Sequence, residues 1–296
     1  MTLTIRHLRI FVKVCDCESI TNAAKTLHLT QPAVSLAISE LEENYGIRLF
    51  DRLSRRIQIT HDGKRMLEYA VHIVDLFDDM ERSMKNPDGV GELRIGSSLT
   101  IGSCLLPRYV EKLTLLCPDI KPRIIVNNSD TIIKSVREGR LDIGLVEGPA
   151  SEDTLVFTRF MEDNLIAVCG KSHPFAQSEC VSLDEFLSMS LMLRERGSGT
   201  RELFQSAVTL LGKQLDPAWE SVSTTALIRA VEAGNGVSVL PKKLVDEYLA
   251  AGRLKIVPLE NPQLSRSFFL IYHKNKYLSV GMHKLIDIVM GCIEEN

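Results

Sequence analysis

The chain has 296 residues, 45% hydrophobic and 25% charged, a composition that excludes a disordered or low-complexity chain and predicts two or three globular domains. Its 35 Lys/Arg against 38 Asp/Glu leave a net charge of −3, so any nucleic-acid role has to rest on a local basic surface. Met1–Met66 holds ten Lys/Arg and seven Asp/Glu, net +3, and the remainder is −6, which makes a basic head on an acidic body.

Leu3 to about Asp16 reads as an amphipathic helix with Leu8, Phe11, Val12 and Cys15 on one face. Ser19 is an N-cap for a second helix that carries the small pair Ala23-Ala24, which lets another helix cross closely. Leu27 and Leu29 bracket a tight turn, and Thr30 caps a third helix with Pro32 in its first turn. This is a helix-turn-helix pattern. Near the start of the third helix Thr30, Gln31, Pro32, Ser35, Leu36 and Ser39 form the face that would enter a DNA major groove. Gln pairs bidentately with adenine, and Ser contacts any base edge. The third helix ends at Gly46, and Leu49 to Thr60 reads as a two-stranded wing with Arg52, Arg55 and Arg56 at its tip.

From Asp62 to Lys85, Met66, Ala70, Ile73, Phe77, Met80 and Met84 recur with heptad spacing, which favours a helix that pairs two chains over one that packs against the chain's own body. Asn86 to Gly91, with a proline and two glycines, is a hinge. Beyond it strands and helices alternate, at 93–96, 105–116, 124–126, 131–138 and 141–146. A second set of strands lies at 165–169, 191–193, 236–240, 254–258 and 268–272, with a closing helix at 280–292. Such alternation predicts a parallel sheet covered on both faces, arranged as two α/β units with a cleft between them.

The N-terminal motifs resemble the winged helix-turn-helix of the LysR-type transcriptional regulators. The resemblance is carried by Ala23-Ala24, the run Thr-Gln-Pro-Ala-Val-Ser from Thr30, Leu41-Glu42, Leu49-Phe50 with Arg52 and Arg55, and Ile59-Thr60 before Gly63. Asp62 departs from the alanine usual before that glycine. The resemblance implies an all-α winged helix-turn-helix over 1–61, a linker and dimerisation helix over 62–85, a hinge over 86–91 and an effector-binding domain over 92–296. That domain is similar to periplasmic solute-binding proteins, with subdomain I at about 92–163 and 267–296 and subdomain II at about 164–266. It also implies homodimers through the linker helix, and homotetramers.

Four loops that follow strands and lead into helices share Ser and Thr chemistry, and helix N-termini favour anions. They supply Ser98, Leu99, Thr100, Ser129, Ser198, Gly199, Thr200, Arg201, Ser223 and Thr224 as effector-binding candidates, with Glu147 at a strand end. The expected effector is a carboxylate or inorganic oxyanion, and the expected macromolecular partner is double-stranded operator DNA. N-capping alone explains any one of these loops.

The rival reading is an α/β enzyme or small-ligand carrier with an accessory N-terminal domain. No Gly-x-Ser-x-Gly elbow, Walker loop or HExxH helix is present, so no catalytic residue and no cofactor is assigned. The cysteines, Cys15, Cys17, Cys104, Cys117, Cys169, Cys180 and Cys292, and the seven histidines show no metal-ligand spacing. Arg6, His7, Arg9 and Lys13 break up the N-terminal apolar residues, which argues against a secretory signal, and no run approaches a membrane span. The expected location is cytoplasmic.

Overall fold

The structure, a computed structural model, describes residues 3–53, 56–85, 91–148, 152–260 and 264–291. The chain forms two compact units, essentially residues 1–90 and 91–296.

The first unit starts with α1 (Ile5–Cys17), α2 (Ile20–Thr26) and α3 (Gln31–Tyr45). The caps are local. Ser19 accepts from the Asn22 N–H and Thr30 from the Ala33 N–H, and Gly46 ends α3 at a φ of 65° that glycine adopts without strain. Ala23 and Ala24 are buried and let α2 and α3 pack closely around Phe11, Val34, Ile38 and Leu41. On α1, Ile10 and Val14 are buried with Phe11, while Leu8, Val12 and Cys15 are only partly covered, so the buried face is rotated from the expected one.

The antiparallel hairpin β1 (Phe50–Leu53) and β2 (Arg56–Ile59) forms the wing. Glu42 ties it to α3, its carboxylate accepting from the Leu49 N–H at 2.8 Å and the Phe50 N–H at 3.3 Å. Thr60 then caps the long helix α4 (His61–Lys85) by accepting from the Gly63 N–H at 2.9 Å. Gly63 lies so close to the Leu49 carbonyl that a Cβ there would sit 2.3 Å from the oxygen. Of the expected hinge at 86–91, residues 86–90 lie outside the described residues.

The heptad on α4 divides between two faces. Ala70 is buried and Met66 partly covered in the core of the unit, and Phe77 lies under the Arg9 guanidinium. Arg9 also pairs with Asp78. The apolar stripe left exposed is Tyr69, Ile73, Leu76, Met80 and Met84. Its first four members keep a heptad spacing of four, three and four, one step round the helix from Met66, Ala70 and Phe77.

The second unit is a mixed sheet in two subdomains, not the all-parallel sheet that the alternation predicts. Its strands are β3 (Glu92–Ser97), β4 (Lys121–Val126), β5 (Ile143–Glu147), β6 (Leu155–Gly170), β7 (Leu191–Arg194), β8 (Pro217–Ser221), β9 (Val237–Pro241), β10 (Leu254–Ile256) and β11 (Ser265–His273). They run in the order β4-β3-β5-β11-β6-β9-β7-β8, with β10 also on β6. Pairs β3–β4, β3–β5, β7–β8 and β7–β9 are parallel, whereas every pairing of β6 and β11 is antiparallel.

Strand β6 is the crossing. Leu155 to Asn164 pair with β11, and Leu165 to Cys169 pair with β9, so the subdomains meet within β6. Subdomain I buries Ile95, Ile143, Leu145, Phe268 and Leu270 under α6 (Leu106–Leu116) and α12 (Val280–Val289). The helix expected at 105–116 is α6, and a short helix α5 (Leu99–Cys104) precedes it, set off by a backbone break at Leu105. Helix α7 (Ser129–Arg137) packs Ile132 and Val136 on the other face. In subdomain II, α8 (Leu183–Ser188) and α9 (Gly199–Leu210) cover one face of the sheet, and α10 (Thr224–Glu232) and α11 (Lys242–Ala250) the other. Strand β8 and helices α8 and α11 carry no signal read from the sequence, and Cys292 lies outside the described residues.

Candidate functional site

Two surfaces hold the candidate residues. On α3, Gln31, Pro32 and Leu36 are exposed and Ser35 and Ser39 half-buried, while Val34, Ile38 and Leu41 face the core. The outer residues 32, 35, 36 and 39 follow one helical stripe that begins beside the Thr30 cap. Leu36 is 59% exposed, and a large aliphatic group left bare beside small polar ones suits contact with a thymine methyl. Arg55 lies outside the described residues, as do the side chains of Arg52 and Arg56. Their strands pair Arg52 opposite Ile57 and Leu53 opposite Arg56, which sets the hairpin.

The second surface is the boundary between the subdomains, and its centre is a residue the sequence reading missed. Arg266, on β11, stands opposite Asp163 of β6 in the antiparallel register. Its Nε donates to Asp163 Oδ2 at 3.0 Å and its Nη2 to the same oxygen at 2.7 Å. Nη2 also donates to Thr100 Oγ1 at 3.1 Å, and Nη1 to Thr200 Oγ1 at 3.0 Å and to the Glu147 carboxylate. Five N–H groups therefore meet five bonds, the full complement of a guanidinium. The Arg266 side chain is fully buried, and Glu147 and Asp163 nearly so.

Glu147 closes the network. Its Oε1 accepts from Ser98 Oγ at 2.8 Å and from the Thr100 N–H at 3.2 Å, and its own N–H donates to Ser129 Oγ at 3.3 Å. A carboxylate of the chain itself thus occupies the N-terminus of α5, where an effector anion is expected. The donors suit that role, since helix N–H groups, a hydroxyl and a guanidinium all favour negative charge. Gly199 presses on the same residue, and a Cβ there would lie 2.9 Å from the Glu147 carbonyl oxygen.

Ser98, Thr100, Ser129, Glu147, Gly199 and Thr200 therefore do come together. Ser198 is buried next to them as the N-cap of α9, with no capping bond from its side chain, and Leu99 is half-buried in the first turn of α5. Ser223 and Thr224 belong elsewhere. Ser223 caps α10 by accepting from the Ala226 N–H, and Thr224 accepts from buried Arg194, which is paired with Glu195. Arg201 lines a groove on the flank of α9 with Arg196 and Gln205.

The missed signal was present. Arg266 shares the inward parity of Phe268 and Leu270 on an alternating strand, where a charge needs a partner. The described cysteines are free thiols. Burial, with Asp16 adding to it, pushes Cys15 up to about 12, and burial raises Cys169 to about 11, so both stay protonated at neutral pH. Among the described residues no His/Cys/Asp/Glu group could hold a metal, and no helix is long and apolar enough to cross a membrane.

Residues 5–64 match the family model for the bacterial regulatory helix-turn-helix proteins of the lysR family, and residues 88–291 match that for the LysR substrate binding domain. The chain is 31% identical to the HTH-type transcriptional regulator YeiE of Escherichia coli over 97% of each chain. Among solved structures it is similar to a full-length OxyR variant from Pseudomonas aeruginosa, with a TM-score of 0.73 at 21% identity, over 98% of this chain and 94% of that one. It is also similar to the regulatory domain of CcmR from Synechocystis in complex with 2-PG, with a TM-score of 0.63 at 24% identity, over 68% of this chain and 97% of that one.

Replacing Arg266 with Met is expected to cost the second unit about 3–5 kcal/mol, because Glu147 and Asp163 are then left buried without a counter-charge. Urea unfolding followed by tryptophan fluorescence checks this, since the single Trp, Trp219, lies in that unit. A loss below about 1 kcal/mol would show that Glu147 and Asp163 are not left buried and unpaired in the variant.

Proposed function

The chain belongs to the lysR family of helix-turn-helix transcriptional regulators, and from that premise we propose which of its residues read DNA, pair two chains and receive the effector. Members of this family are DNA-binding regulators with a C-terminal effector-binding domain, and this chain carries both parts.

Gln31, Pro32, Ser35, Leu36 and Ser39 read base edges in the major groove, and Thr30 stands at the phosphate beside the helix start. Arg52, Arg55 and Arg56 bind backbone from the wing. The support is the exposed stripe on a helix held at both ends, by the Thr30 cap and by Glu42 on the wing. Two chains pair through Tyr69, Ile73, Leu76 and Met80 of α4, an exposed apolar seam at heptad spacing. The protein works in the cytoplasm, where its operator is, and it is not an enzyme.

The effector is a small acid whose carboxylate or oxyanion takes the place held by Glu147. One observation carries this. Ser98 Oγ, the Thr100 N–H and Arg266 Nη1 converge on a single carboxylate, so the cleft is an anion site filled by the chain itself. The CcmR domain solved with 2-PG supports a small-molecule ligand for a domain of this fold.

Three outcomes test these assignments. Gln31→Ala should cost about 1–3 kcal/mol on the specific operator and little on random DNA, measured by fluorescence anisotropy; an equal loss on both would place Gln31 on the backbone. Placing Glu at both Ile73 and Met80 buries unpartnered charges in the seam, so sedimentation should show a smaller assembly than the parent's, in which both units still melt cooperatively. An unchanged oligomer would assign pairing to another surface. Finally, a thermal-shift panel of metabolic acids should yield a ligand that Glu147→Ala binds at least about tenfold more tightly, because the internal competitor is gone. A panel acid that binds parent and variant equally lies outside the cleft.

A further inference from the structure

Helix α9 has a second face that the cleft does not use. Arg201, Gln205 and Thr209 follow one another at four-residue spacing along it. The chain turns at Gly212, with a φ of 72°, and returns as Lys213-Gln214-Leu215 to begin β8. Between helix and returning chain opens a groove of about 660 Å³ lined by these residues together with Arg196 and Glu202.

Most polar groups in the groove are committed. Lys213 pairs with Asp184, Glu202 accepts from the Gly197 N–H at 3.2 Å, and Gln205 Nε2 donates to Thr209 Oγ1 at 3.2 Å. Arg201 is not. It is 4% exposed, yet among the described residues its Nη1 meets no acceptor. A buried guanidinium with an unmet N–H group loses its hydration without compensation, and it stays charged. Burial pulls Arg201 below the usual arginine value, with Glu220 opposing. Arg196 is exposed in the same lining and adds a second positive charge.

We propose that this groove is a second anion-binding site, separate from the cleft, which takes a small phosphate, sulfate or carboxylate compound with its acidic group between Arg201 and Arg196. A guanidinium fork matches the oxygens of such groups, and Gln205 and Thr209 offer amide and hydroxyl contacts to a polar body. The site is also joined to the cleft. Glu202 holds the Gly197 turn, and the Gly197 carbonyl accepts from the Asp130 N–H of α7 at 3.3 Å, in the other subdomain. Asp130 is raised above the usual carboxylate range by burial and then by the charge of Glu202. An anion beside Glu202 repels it and loosens that turn, so occupancy of the groove alters how the subdomains meet.

The test uses the full chain with inorganic phosphate, sulfate and malonate as probes, by titration calorimetry at constant ionic strength. At least one probe should bind the parent, and Arg196→Gln and Arg201→Gln should each weaken that probe about tenfold or more. Arg196 has no part in the cleft and is exposed, so its replacement keeps the test valid even if Arg201→Gln fails to fold. No binding to the parent by any of the three probes overturns the proposal, and so does binding by Arg196→Gln equal to that of the parent.

Discussion

The second unit is organised around one buried guanidinium. Arg266 sits where β6 and β11 cross from one subdomain to the other, and its bonds reach Thr100 and Glu147 on the first side and Thr200 on the second. Asp163, opposite it in register, is the fixed anchor. Such a cluster contributes little net stability, because desolvating three charges offsets most of their attraction. It contributes geometry instead. In this arrangement of the surrounding loops all five donors are satisfied, so a shift of either subdomain breaks buried bonds. A cleft built this way is closer to two-state than to continuously adjustable.

The DNA-binding head follows a different logic, in which short-range contacts fix a helix against solvent. Its core is small, with Phe11, Ala23, Val34, Leu41 and Leu49 fully buried. A core of that size leaves little margin, and the caps at Ser19 and Thr30 and the Glu42 tether each contribute on the order of 1 kcal/mol to holding α3 in place. The tether bears on the proposed function, because one carboxylate joins the helix proposed to read bases to the hairpin that carries the arginines.

Local chemistry made the head legible in the sequence, and long-range pairing hid much of the rest. Ser19, Thr30, Gly46 and the pair Ala23-Ala24 announce their roles within four residues, and each acts where it is expected. The α4 heptad was visible, but the face that stays bare depends on how α1 packs, through Arg9 over Phe77 and Ala70 in the core. Alternation of strand and helix revealed the α/β class, yet not that β6 and β11 run antiparallel, since no local signal fixes a pairing such as that of Arg266 with Asp163, 103 residues apart. The loops of the cleft are legible as helix N-termini, since Ser or Thr stands at the start of each helix. What escaped was their occupant, because Glu147 and Arg266 are 119 residues apart and meet only in the folded sheet.

That occupant decides what kind of ligand exchange the cleft permits. Arg266, Glu147 and Asp163 carry formal charges that sum to −1, so a second anion entering beside them adds a buried like charge with no new partner. Exchange avoids this cost. If an effector acid takes the donors of Glu147 while Glu147 swings to water, the charge of the buried site is unchanged and every guanidinium proton still has an acceptor. Glu147 is the last residue of β5, and Gly199 at the start of α9 lies against its backbone with no room for a methyl group. Arg266 Nη1 bonds both Glu147 of the first subdomain and Thr200 of the second, so the same exchange replaces one of the two protein groups that this nitrogen joins. On the proposed reading, substitution at one carboxylate alters the bonds that join the two subdomains, which is the kind of step an effector-controlled regulator requires.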